Sequence, residues 1–177
     1  ALQSLGVLQG SNYSTTTATR GEFARMLVAV SGRGDSISSV SAPSPFTDVP
    51  YNSEYAGYIS TVVQEGAMSG YLDGTFRPYD GVKLEEAASA ALSLLGYTGG
   101  SASARLEQAR SLGLLSGISK TSGQALTVQD CAVLFDNLLG TQTSGGQTYA
   151  ASIGMATASG STDYTAVVAR GLPGPYL

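Results

Sequence analysis

Histidine and tryptophan are both absent from the 177 residues. Without imidazole the chain alone can build no Ser-His-Asp or Cys-His nucleophile, and no His-ligated zinc or haem. Its one cysteine, Cys131, can neither close an intramolecular disulfide nor form a thiolate cluster. Charge is scarce too, at 12% of residues, about half the usual fraction. Nine basic against 13 acidic side chains leave a net charge of -4. That balance argues against nucleic acid, which is gripped by clustered Lys and Arg. No apolar run approaches the ~18–20 residues that span a bilayer, so no membrane insertion is expected. No run of alternating Asp and Asn oxygens suggests calcium, and no cofactor is implied.

What the chain has instead is hydroxyl and glycine: 24 Ser, 16 Thr and 23 Gly, alongside a 42% apolar share. A compact chain of this length buries roughly 70% of its unfolded surface, enough for a core without metal or disulfide. The expectation is a single domain or a tight array of small repeats.

The repeats are visible. The string Gly-apolar-apolar-polar-Gly occurs as Gly6-Val7-Leu8-Gln9-Gly10, Gly66-Ala67-Met68-Ser69-Gly70 and Gly113-Leu114-Leu115-Ser116-Gly117. Each follows helical apolar spacing: Tyr55, Tyr58, Ile59 and Val62 in the second copy, Leu106 and Ala109 in the third. A glycine closing such a helix is the expected left-handed stop. After each string a second amphipathic segment begins, at Thr19, Lys83 and Thr127, with an acid three residues on: Glu22, Glu86 and Asp130. For Thr19 and Thr127 this approaches a capping box. The apolar positions that follow superpose: Phe23, Met26, Leu27 and Val30 on Ala87, Ala90, Ala91 and Leu94, and on Cys131, Leu134, Phe135 and Leu138. The pattern predicts helices near residues 1–9, 20–31, 52–65, 83–96, 102–113 and 127–139, in three helix-loop-helix units.

The second unit carries a specific string: Phe46-Thr47-Asp48-Val49, then Tyr55-Ala56, then Gly70-Tyr71-Leu72-Asp73-Gly74-Thr75-Phe76-Arg77-Pro78. The first adds Thr19-Arg20-Gly21-Glu22-Phe23-Ala24. Together these resemble the S-layer homology family, whose second helix opens Thr-Arg-Ala-Glu-Phe-Ala. On that resemblance repeat 1 covers residues 1–32, a linker 33–42, repeat 2 residues 43–98 and a divergent repeat 3 residues 99–140. Residues 141–177 form a tail. The chain opens mid-helix at Ala1 and closes on Gly171-Leu172-Pro173-Gly174-Pro175, so both ends are expected to be cut from a longer protein with other domains.

The resemblance implies an all-α, pseudo-threefold helical prism. It also implies noncovalent anchoring of an exported bacterial protein, at the cell wall or cell surface, to an anionic and often pyruvylated secondary cell-wall polymer. The motif arginine would help hold that polymer in a groove between repeats. Here Arg20 is the one copy, because Leu84 and Val128 take the equivalent places. The expected ligand-binding residues are therefore Thr19, Arg20 and Glu22, with Lys83 as a point-charge stand-in. Thr19 would cap the helix, Glu22 would lock the cap, and Arg20 would project toward the ligand's carboxylate. Loss of two arginines also admits a degenerate module that packs on neighbouring domains and binds no polymer.

Other signals carry less. The tripeptide Arg33-Gly34-Asp35 lies in a Gly- and Ser-rich stretch, and Asn12-Tyr13-Ser14 fits a glycosylation sequon. Asp48, Asp73, Asp80, Glu85 and Glu86 are the one carboxylate cluster that could be asked to do acid-base chemistry. Several have turn or cap duties, so the chain is expected not to be an enzyme. Cys131 falls on a buried helix face and is expected to be a core residue.

Overall fold

The computed structural model describes residues 12–32 and 44–155. The expected helix over 1–9, the Arg33-Gly34-Asp35 stretch, the 33–42 linker and the tail beyond residue 155 lie outside the described residues. Among these there are six helices and no β-strand: α1 (Arg20–Val30), α2 (Ala56–Gln64), α3 (Leu84–Leu94), α4 (Ala102–Ser111), α5 (Val128–Gly140) and the short α6 (Tyr149–Ser152). Five of them fall where the periodicity predicts a main helix. The start of α2 is later than expected, because Ser53 N–H bonds Pro50 O and Ala56 N–H bonds Ser53 O in successive turns.

The cap chemistry explains where α1 and α5 begin. The Thr19 hydroxyl accepts from Glu22 N–H at 3.1 Å, and the Glu22 carboxylate accepts from Thr19 N–H at 3.0 Å. Thr127 and Asp130 repeat both bonds at 3.1 and 2.9 Å. In α3 only half of this survives: Glu86 accepts from Lys83 N–H at 3.2 Å, while a lysine ammonium has no lone pair to return. The helix ends are as regular. At Gly66 (φ 73°) and Gly113 (φ 80°) the chain turns left-handed. Ala67 N–H then reaches Val62 O, and Leu114 N–H reaches Ala109 O, the closing bonds of a Schellman motif.

The three segments that precede α1, α3 and α5 are joined in a closed cycle. Ala18 N–H donates to Leu126 O, Leu126 N–H to Val82 O, and Val82 N–H to Ala18 O, all at 2.9–3.0 Å. A second cycle runs outside it: Arg20 N–H to Asp80 O, Leu84 N–H to Gln124 O, and Val128 N–H to Thr16 O. Corresponding residues of the three units thus make corresponding bonds, and helix-start amides that would otherwise be orphaned are satisfied.

Helix packing crosses the sequence repeats. The second helix of one unit pairs with the first of the next, α1 with α2 and α3 with α4, while α5 touches α3 and α6. Arg105 on α4 shows how the second pair is fastened. Its guanidinium donates to Ser89 O, the Ser89 and Ser93 hydroxyls, Tyr97 O and Gly99 O. One core runs through the whole: Phe23, Leu27, Ile59, Leu84, Leu92, Leu114, Leu134 and Phe135 are all buried, and the Phe23 and Phe135 rings stack at 5.4 Å. Each such aliphatic or aromatic side chain contributes about 1.5–3 kcal/mol by leaving water. Met26 and Leu94 hold core positions of the pattern but are only half-buried.

Candidate functional site

Arg20 opens α1, and its side chain turns inward rather than projecting from the first turn; only 2% of it is exposed. Two acceptors in the connection between α2 and α3 and one on α3 receive it. Nε donates to Phe76 O at 2.9 Å, Nη2 donates to Ser69 O at 2.8 Å, and Nη1 is ion-paired with the Glu86 carboxylate. The guanidinium also lies 4.5 Å from the Phe76 ring centroid and 4.9 Å from that of Tyr71. Burial pulls its pKa below the ordinary arginine value, and Arg77 adds to that. Tyr71, Asp80 and Asp48 pull it back. A buried cation held by a carboxylate, two carbonyls and two ring faces is well compensated.

This arrangement forms the wall of a groove of about 220 Å³ where the α1–α2 pair meets the α3–α4 pair. Arg20, Met68, Ser69, Glu85, Glu86 and Ser89 line it. Both acids already have partners inside the protein. Glu85 accepts from Gly123 N–H at 2.8 Å, and Glu86 serves both Lys83 N–H and Arg20. Of the four residues singled out from sequence, Thr19 and Glu22 are half-buried and occupied with each other in the cap. Arg20 is buried in the groove wall, and Lys83 is exposed one residue before α3. The cap and the arginine are therefore adjacent by chain. The structure gives Lys83 no side-chain hydrogen bond to the N-terminus of α3.

Sequence reasoning missed Glu86 as the partner of Arg20. Its role as a cap acid was readable from its spacing after Lys83, but the pairing joins residues 66 positions apart and has no local signal. It also missed the loop clamp made by Asp48, whose two oxygens accept from Phe76 N–H at 2.8 Å and Arg77 N–H at 2.7 Å. Arg77 holds a left-handed φ of 60° there, uncommon for a side chain with a Cβ. Its guanidinium lies 3.9 Å from the Tyr71 ring centroid and 3.1 Å from the Asp73 carboxylate. Asp73, also bonded to Thr75, is held at a pKa of about 2. A second, wider groove of about 470 Å³ lies between the ends of α4 and α5, beside Ser111, Asp136 and Asn137. The Asn137 amide is fixed there by donating to Leu114 O and Ser116 O.

Of the five clustered carboxylates, Asp48, Asp73, Glu85 and Glu86 hold backbone amides or guanidinium groups in place. Among the described residues no group of three or more His, Cys, Asp or Glu could hold a metal ion. No helix among them is long and apolar enough to cross a membrane.

Comparison with known proteins bears on the same region. The family model of the S-layer homology domain matches residues 45–88, which contain Glu86, Ser69 and the Asp48 clamp. The chain is 27% identical over 146 residues to a middle cell wall protein of Brevibacillus brevis, a match covering 78% of this chain and 14% of that protein. It is 28% identical over 100 residues to a surface layer protein of Brevibacillus choshinensis, covering 54% of this chain and 9% of that protein. The chain spans only a small part of the length of these curated relatives.

Proposed function

We propose, from the S-layer homology domain that residues 45–88 carry, that this chain is a noncovalent cell-wall anchoring module of an exported protein at the bacterial cell surface. The likeness to a cell wall protein and a surface layer protein supports that location and role. The two cycles of hydrogen bonds around Ala18, Val82 and Leu126 support a pseudo-threefold prism as the architecture of the module. The partner we assign is an anionic, pyruvylated secondary cell-wall polysaccharide.

The observation that carries the site is the Arg20 guanidinium at the groove between the α1–α2 and α3–α4 pairs. Arg20 is the residue that would read a sugar carboxylate, since its planar fork matches one in a way an ammonium cannot. Thr19 and Glu22 fix where α1 starts, and hence where that fork stands. Lys83 adds an exposed positive charge beside the start of α3.

A second reading is a packing module that binds no polymer. It is favoured by one fact: Nε, Nη1 and Nη2 of Arg20 are each already engaged inside the protein. Sedimentation with Brevibacillus cell walls separates the two. Binding to walls that keep their acidic polymer, lost on walls stripped of it, is the result expected of an anchor. Failure to sediment with either wall would leave the packing module as the function.

A further inference from the structure

We propose that Glu86 occupies the seat of the ligand's carboxylate, and that an acidic sugar enters the groove by replacing Glu86 on Arg20. The inference rests on the reading of the Arg20 groove as the polymer site. The two carbonyls that Arg20 binds, Phe76 O and Ser69 O, hold the guanidinium in one plane and position. Its remaining corner is given to Glu86, whose side chain is 22% exposed and lines the groove. Arg20 and Glu86 both line the groove, so a ligand there meets the pair.

Replacement of one carboxylate by another keeps the buried cation compensated throughout, where simple removal would leave it unpaired. Glu86 can leave Arg20 without being orphaned. It holds Lys83 N–H through Oε1 and Arg20 through Oε2, so the cap survives when the ion pair opens. Glu85 does not take its place, because its carboxylate is already engaged by Gly123 N–H at 2.8 Å. A neutral sugar gains nothing from such a site, since nothing on it replaces the lost charge. Glu86 thus selects for acidic sugars and lowers the affinity for them.

The test uses Glu86→Gln, which keeps an acceptor for the cap but offers Arg20 no charge, and Glu86→Asp, which keeps a charged cap as Asp130 does but is one methylene too short for the pair. Both are compared with the parent by sedimentation on polymer-bearing walls, with circular dichroism to establish the fold. If the parent is open in roughly a tenth of molecules, both variants bind about tenfold tighter. Folded variants that bind like the parent, or more weakly, overturn the exchange. Arg20→Lys in the otherwise unaltered chain tells which reading has failed. If it loses wall binding, the groove stands and only the exchange falls; if it binds as before, both fall. A readout on the parent needs no variant: the side-chain carboxyl carbon of Glu86, followed by NMR, moves as D-glucuronate is added. A signal that stays fixed while glucuronate competes the chain off the walls overturns the proposal equally.

Discussion

The Tyr55 ring fills the space that a side chain at Gly21 would need: a Cβ built there would lie 2.6 Å from Tyr55 Cδ2 and 2.9 Å from Cγ. Gly21 stands where the motif that this helix start resembles has alanine. The contact joins the first turn of α1 to the residue that caps α2, and Tyr79 closes over the same ring at a centroid distance of 6.2 Å.

Gly21→Ala is therefore expected to destabilise, although alanine is the better helix former. The propensity gain is about 1 kcal/mol, whereas overpacking against a ring that cannot retreat costs about 1–3 kcal/mol. Urea denaturation should show a net loss. It should be smaller in a Tyr55→Ala background, since two residues in contact are not additive. Additive losses would mean that the two sites do not press on each other.

The three helix starts predict an asymmetry. Thr127→Ala should cost about 1 kcal/mol, because it removes the acceptor of Asp130 N–H. Lys83→Ala should cost far less, since the lysine side chain caps nothing. Lys83→Thr should stabilise by about 0.5–1 kcal/mol by completing the box with Glu86. A thermal melt ranks the three, and a destabilised Lys83→Thr would contradict the cap analysis.

Much of this fold was legible because its signals are local. A hydroxyl three residues before an acid places the starts of α1 and α5, and Gly66 and Gly113 place the ends of α2 and α4. Periodicity marked Phe23, Ile59, Val62, Ala109, Cys131 and Leu134 as core, and all are buried. The partner of each helix was not legible. Chain order suggests that α2 folds onto α3, yet α1 packs on α2 and α3 on α4, because the cycled segments before α1, α3 and α5 decide which faces meet. The site suffered in the same way. A motif locates Arg20, but only its tertiary acceptors Phe76 O, Ser69 O and Glu86 turn it inward.

Cys131 is fully buried, and burial pushes its thiol well above the ordinary range, with Asp130 and Glu22 adding to the effect. The nucleophilic thiolate is thus suppressed twice, by lack of access and by lack of ionisation. Native protein should resist thiol reagents near neutral pH and react once unfolded. Cys131→Asp should cost several kcal/mol by burying an unpaired acid. Labelling as fast in native protein as in urea would refute the buried position.

Asp73 gives a pH dependence. Hydrogen bonds from Thr75 and Arg77 hold its pKa at about 2, below the ordinary aspartate value of 3.8. A depressed carboxylate stabilises the folded state above its unfolded pKa, and that contribution is lost as pH falls from about 3.8 toward 2. NMR titration should find the Asp73 carboxyl ionised at pH 3. In Asp73→Asn the corresponding acid sensitivity of the Thr75 amide shift should disappear. An ordinary titration near 3.8 would mean that the turn does not hold the carboxylate in solution.

The Arg20–Glu86 pair makes a stability prediction independent of any ligand. Removing one member of a buried pair leaves the other uncompensated, at a cost of about 3–5 kcal/mol, whereas replacing both with well-packed apolar or neutral groups is often neutral. Arg20→Ala should fall in that range, because Glu86 would also lose its partner while Phe76 O and Ser69 O lose their donors. The chain itself offers the alternative. In the second unit the equivalent place holds Leu84, which is buried and has Asp130 rather than Glu86 in the acid position of the next cap. Arg20→Leu should thus cost less than Arg20→Ala, and Arg20→Leu with Glu86→Gln less again, since the Gln still accepts from Lys83 N–H. Urea denaturation of the four chains tests the order. Arg20→Ala within about 1 kcal/mol of the parent would show that the pair is solvated rather than buried. Arg20 would then be free to meet a ligand without any exchange.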